Sequence, residues 1–222
     1  GISLTGGSAD IENVDFSNGV GNAVSISSNV TGDIDGMTGD ATNAIVAMDS
    51  TGFTVSNLVM TGERLVNSWS AGDLTISDAV FESDSGETPI DIRTSGTVTL
   101  SNIDLTGQFS AQQSTFNAPW IGMNLAGSGD YIIDSSNITS TDTALKASGT
   151  GTLVISDSVF SSERIGLSFS GISSTTLDEV VVNIASGGEV GVDILQGVHN
   201  FIKLEINMPF NQFESGSTGI DA

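Results

Sequence analysis

The sequence predicts an all-β chain wound as a single parallel β-solenoid, with three short strands per coil and about ten coils of about 22 residues. Three observations carry that expectation. A short first-strand template, reading small, apolar, polar, apolar, recurs along the whole chain. A longer motif, apolar-x-apolar, then Ser with Asn or Asp, then a second alternating pair, recurs at the same period. Nothing between the copies is long enough for a helix. A fixed period in this range marks a fold whose repeats bury their apolar faces only by stacking on one another.

The first-strand template is met by Gly1-Ile2-Ser3-Leu4, Ala23-Val24-Ser25-Ile26, Pro89-Ile90-Asp91-Ile92, Gly166-Leu167-Ser168-Phe169, Gly191-Val192-Asp193-Ile194 and Gly219-Ile220-Asp221-Ala222. Looser copies place their second position at Ile45, Asn67, Ile121 and Leu145. Steps between successive second positions run mostly from 21 to 25 residues, with one of 31 from Ile90 to Ile121. Strict alternation has period two and describes strands with one buried face. Ile90, Ile92, Val192 and Ile194 are therefore expected in one long core, with Ile2, Val24, Ile26, Leu167 and Phe169.

The second and third strands read most clearly in Phe53 to Gly62, Leu74 to Phe81, Val98 to Gly107 and Leu153 to Phe160. Asn13, Asn57, Asp78, Asn102 and Asp157 sit at one phase of this motif. Asn and Asp bond nearby backbone and tolerate a bend, so these positions predict a ladder of stacked polar side chains at one corner. Of the three prolines, Pro89 opens a first strand, and Pro119 and Pro209 fall in bends. None interrupts a strand interior, as a parallel ladder requires.

Composition narrows the partners. Twenty-seven acidic residues face five basic ones, for a formal charge of −22. Nucleic acid is excluded, because phosphate binding needs clustered Lys or Arg. No stretch approaches the roughly 20 apolar residues of a membrane span, so no direct membrane insertion is expected. The chain has no cysteine, hence neither disulfides nor thiol chemistry. The composition points to an extracellular or cell-surface setting. The first residue is not Met, and Gly1–Leu4 and Gly219–Ala222 stand at the same phase of the repeat. An internal segment of a longer repetitive protein is expected, with neighbouring coils or domains of the parent chain as its partners.

With these motifs the chain resembles the right-handed parallel β-helix repeat superfamily, the group that includes pectate-lyase-like and carbohydrate-associated β-solenoids. The resemblance implies a right-handed coil and one continuous domain over residues 1–222. It says little of chemistry, which lives in sites rather than folds. Enzymes of that group that act on acidic polysaccharides use Asp clusters with a nearby His and an Arg-x-Lys-type element, or carboxylate-held calcium with a basic residue. This chain has no Asp-Asp dipeptide and no Gly-His-Gly, and Phe201-Ile202-Lys203 lacks the Arg. A catalytic assignment is not made.

Where the repeat breaks, function is sought. The long step holds an inserted loop, 106–120, with Phe109, Phe116, Trp120, Gln108, Gln112 and Gln113. Amides beside aromatic faces suit sugar rings; alternatively Phe109 or Phe116 tucks back over the solenoid flank. Arg93 follows a first-strand template in Ile90-Asp91-Ile92-Arg93. A glycan-binding surface is accordingly assigned to Arg93, Asp91, Phe109, Gln112, Gln113, Phe116 and Trp120. Arg64 and Arg164 follow Glu63 and Glu163 and read as local ion pairs. His199, the only histidine, reads as a solvated turn residue and rules out a multi-histidine metal site. Asp33, Asp35 and Asp40, and Glu82, Asp84 and Glu87, are close in sequence but lack the spacing of a known calcium loop, so calcium would bind only weakly.

The expected role is a non-enzymatic structural or adhesive module of a secreted or surface repeat protein. The alternatives are a carbohydrate-binding or polysaccharide-processing β-helix and a viral fibre or spike module.

Overall fold

Alternating strands that share a period must stack, and in the computed structural model they do. It describes residues 1–49, 52–69, 72–83, 86–107, 121–185, 188–209 and 218–221. Among them every regular element is a strand, and every strand pairing is parallel. Each coil has three sides. The long strands β1 (Ile2–Met48) and β2 (Gly52–Trp69) run on around corners, as do β3 (Leu74–Ser83) and β5 (Thr97–Gly107). The first side continues in β7 (Asp130–Asp134), β10 (Thr152–Ser156), β13 (Ser174–Asp178) and β16 (Val198–Phe201). The second side continues in β8 (Asn137–Thr139), β11 (Val159–Ser162), β14 (Val180–Ile184) and β17 (Leu204–Asn207). The third is built from the end of β2, then β4 (Ile90–Thr94), β6 (Ile121–Gly127), β9 (Thr143–Gly149), β12 (Ile165–Ser170), β15 (Val190–Ile194) and β18 (Thr218–Asp221).

The result is a parallel β-solenoid of about seven turns with a spacing of about 22 residues. The expected ten counted template copies, whereas a turn requires all three sides to pair with the next coil. Register also corrects two template readings. Val66 lies between Ile45 and Ile90, so Val66 and not Asn67 fills the inward position. Ile90 pairs with Met123 rather than Ile121, making the long step 33 residues.

Inward rows form one continuous core. Ile45, Val66, Ile90, Met123, Leu145, Leu167 and Val192 stack in one row and are all fully buried. Each such side chain contributes about 1.5–3 kcal/mol through burial. Of the nine residues expected inside, eight are buried; Ile2, in the first coil, is only partly so. The last coil is similarly open, with Phe201, Leu204, Ile206 and Met208 half-buried.

The corner between the first and second sides shows why its residue types recur. Asn13, Asn57, Asp78, Asn102 and Asp157 all hold left-handed backbone angles, with φ between 47° and 56°. Asn and Asp enter that region more readily than other residues bearing a Cβ, because their short polar side chains bond locally. Ser135 and Glu179 hold the same corner in other coils.

His199 is not a turn residue. It occupies an inward row of β16, in register with the buried Thr175. Its ring stacks on Phe169 at 6.0 Å and 11°, and Nε2 lies 3.0 Å from the Gln196 carbonyl oxygen. The residue closes the C-terminal part of the core instead of reaching solvent chemistry.

Candidate functional site

Because side chains alternate along a strand, each side of the rod presents outward rows whose residues repeat once per coil. Their charges are unevenly shared. The first side shows Asp33, Thr54, Thr75, Thr99, Ile132, Val154, Thr176 and Asn200 in one row. Its other row is Asp35, Ser56, Ser77, Ser101, Asp134, Ser156 and Asp178. The second side adds Asp40, Glu82, Asp104 and Glu205. Neither side has a cation in these rows.

The third side differs. One outward row runs Val46, Asn67, Asp91, Asn124, Lys146, Ser168 and Asp193. The adjoining positions include Met48, Trp69, Arg93 and Ala126. Trp69 is 52% exposed. Arg93 and Lys146 stand here, and Arg64 and Arg164 lie at the corner through which the chain enters this side. Four of the five basic residues thus gather on one side and its edge.

Asp91 and Arg93, two of the residues assigned to a site from sequence, do come together. Arg93 donates through Nη2 to Asp91 Oδ2 at 3.2 Å, and Asn124 donates to Asp91 Oδ1 at 2.8 Å. Asp91 is held between its own strand and the next coil, which leaves it an anchor rather than an available base. Phe109, Gln112, Gln113, Phe116 and Trp120 lie outside the described residues. Their attachment points are fixed, however: Gly107 ends the second side and Ile121 opens the third. The insertion therefore joins the third side between the Asp91–Arg93 coil and the Lys146 coil.

Sequence reasoning missed Lys146. Among the described residues it has no carboxylate within ion-pair distance, unlike the other four cations. Its in-register neighbours are the amide of Asn124 and the hydroxyl of Ser168. The signal was present in the period: Lys146 stands two coils after Asp91 and one before Ser168. Exposed Trp69 was not singled out either.

The other arginines bridge coils instead of pairing with the preceding glutamates. Arg64 bonds Glu87, 23 residues on. Arg164 reaches Glu189 at 2.9 and 3.1 Å in the next coil and Asp142 in the previous one. Those carboxylates, Glu189 first, hold its guanidinium pKa above the usual value.

Of the two acidic runs noted in the sequence, Asp84 lies outside the described residues. Asp33 and Asp35 face out from the first side and Asp40 from the second. Asp10, Glu12, Asp33 and Asp35 line an open depression of about 510 Å³ with Thr54 and Ser56. Among the described residues no group of three or more His, Cys, Asp or Glu side chains has metal-binding geometry. No helix there is long and apolar enough to cross a membrane. Comparison with protein-family models, with curated proteins and with solved structures found no match to this chain.

Proposed function

We propose that the chain is a non-enzymatic structural and adhesive module of a secreted or cell-surface repeat protein, flanked by further coils or domains of its parent. The supporting observation is the use to which outward polar groups are put: they tie coils together. Ser56 donates to Asp35 at 3.0 Å, Asn102 to Asp78 at 2.7 Å, Asn124 to Asp91 at 2.8 Å and Ser156 to Asp134 at 2.5 Å. Arg164 spans three coils. Carboxylates already accepting such bonds serve stacking, and they make a rigid acidic rod with an ordered surface. Incubation with acidic and neutral polysaccharides, followed through new reducing ends and unsaturated uronate absorbance, should give no product. Turnover by the wild-type chain that disappears in Asp91→Ala would overturn this reading.

A second reading is favoured by the gathering of cations on the third side. Trp69 supplies an exposed ring, Arg93 and Lys146 supply charge, and Asn67, Asn124 and Ser168 supply polar edges along one face. Such a face suits a glycan, whose rings offer both C–H surface and hydroxyls, in keeping with the carbohydrate-associated β-helices the sequence resembles. The coil spacing of about 4.8 Å sets Asp91 and Lys146 about 10 Å apart along the axis, room for a short run of sugars. Glycan-array binding that weakens at least tenfold in Trp69→Ala and Lys146→Ala, with unchanged melting, would support it. Binding that is indifferent to both changes would remove it. Calcium enters this reading only as a weak bridge between the acidic surface and an acidic glycan.

A further inference from the structure

Fifteen asparagines occur in the chain, and only Asn18 precedes a glycine. That pairing matters because an asparagine side chain can be attacked by the backbone nitrogen of the next residue, and a side chain on that residue hinders the approach. Asn18 and Gly19 are both exposed. They lie on the stretch between Phe16, which packs under Gly39, and Asn22, whose side chain accepts from Asn43 at 2.8 Å. This is the corner between the second and third sides of the first coil. Gly19 has φ 62°, and a Cβ built on it would meet nothing within 4 Å, so the backbone there has open space around it. Among the described residues the Asn18 side chain makes no hydrogen bond, in contrast to the amides of Asn57, Asn102 and Asn124, which are held against carboxylates of neighbouring coils.

We infer that Asn18 is a site of spontaneous deamidation. The Gly19 nitrogen, having lost its proton to solvent, attacks Asn18 Cγ. A bond forms between that nitrogen and Cγ, the Cγ–Nδ2 bond breaks, and the departing nitrogen takes up a proton and leaves as ammonia. Water then opens the five-membered imide at either carbonyl, giving aspartate or isoaspartate. No oxidant, metal or enzyme is required. Gly permits the required backbone excursion because no Cβ opposes it.

The comparison with Asp35-Gly36 sharpens the assignment, since aspartate before glycine reaches the same imide by loss of water. There the side chain is pinned: Asp35 Oδ1 accepts from Ser56 at 3.0 Å and Asn57 at 2.6 Å, and a Cβ at Gly36 would press on Asn13 at 3.0 Å. At Asn67-Ser68 the following residue carries a side chain of its own, and Ser68 is buried in the third side. Among the described residues, Asn18-Gly19 is therefore the pair that combines an unbonded amide with a following glycine. Its product adds a carboxylate beside the ion-pair edge, and isoaspartate lengthens the main chain there by one carbon.

The test is to hold the whole chain in mildly alkaline buffer at body temperature and sample it over weeks. Peptide mapping after Asp- or Glu-directed proteolysis, combined with enzymatic methylation of isoaspartate, locates the conversion. Asn18 should convert first and faster than every other asparagine, with one equivalent of ammonia released per event. Asn18→Gln should abolish the early ammonia and the isoaspartate signal while leaving the circular dichroism unchanged. The inference is overturned if Asn18 stays intact while another asparagine converts, or if the Gln variant releases ammonia at the wild-type rate.

Discussion

Asn102 and Asp78 stand one coil apart at the same corner, both with φ 53°, and the amide of the first donates to the carboxylate of the second at 2.7 Å. An amide set against an acid lets these two coils stack at the corner without opposing like charges. Replacing Asn102 with Asp should remove the donor and set two carboxylates about 4.8 Å apart. The bond and the new repulsion at this exposed corner are worth about 1 kcal/mol together. Melting of Asn102→Asp should fall below wild type most at low ionic strength and recover with salt. A loss independent of salt would show that repulsion is not the cause.

Gly149 separates strain from collision. It has φ 135°, and an added Cβ would lie 1.8 Å from the Gly127 carbonyl oxygen of the previous coil. Backbone cannot yield there without parting the coils, so Gly149→Ala should cost several kcal/mol or abolish folding. Gly7, with φ 93° and nothing within 4 Å of its Cβ, is the control. Gly7→Ala should cost only about 1–2 kcal/mol of conformational strain. Equal destabilisation in chemical denaturation would contradict the packing account.

Ile92 is fully buried in the row between Ser68 and Leu125. Ile92→Asp should cost several kcal/mol, because an unpaired carboxylate would replace a branched apolar side chain inside. Ile92→Val should cost about 0.5–1.5 kcal/mol. Urea titrations of the two variants check the ordering, and near-wild-type behaviour of the Asp variant would place this row outside the core.

Acid should act selectively. Asp130 has its carboxyl pKa lowered by hydrogen bonds from the Thr152 hydroxyl and backbone amide. A folded-state value below the unfolded one means stability present above the ordinary 3.8 and lost as pH falls through the lowered value. The melting gap between wild type and Asp130→Asn should accordingly be widest near neutral pH and close in strong acid. Global relief of the −22 charge affects both proteins alike. A gap that is constant with pH would mean the bonds do not favour the ionised carboxylate.

Much of this architecture was legible because it is periodic. Ile90, Ile92, Val192 and Phe169 announce the core through alternation and return at a fixed interval. The errors came from the same source. A slip of one residue exchanges the two faces of a strand. Taking Asn67 as the second template position therefore assigned the wrong face to this strand, in which Val66 and Ser68 face in and Trp69 faces solvent. His199 was read as a solvated turn residue, although the alternation of Val198-His199-Asn200-Phe201 places it inward. Arg64 and Arg164 were assigned to adjacent glutamates because sequence displays neighbours in the chain. In a solenoid the relevant neighbour is a full coil away, at Glu87 or Glu189. Lys146 was overlooked for want of a register, which only strand pairing supplies.

The 33-residue step from Ile90 to Met123 leaves all three sides in register on both sides of it. Chain length is thus uncoupled from position at that corner. Extra residues alter neither the faces nor the order of the coils above and below. Equivalent corners at 140–142 and 163–164 fall on the same edge, which behaves as a rail along which added segments would emerge in line. A graft of comparable length at either corner would stand directly above the natural insertion, and its height on the rod would be set by the coil chosen.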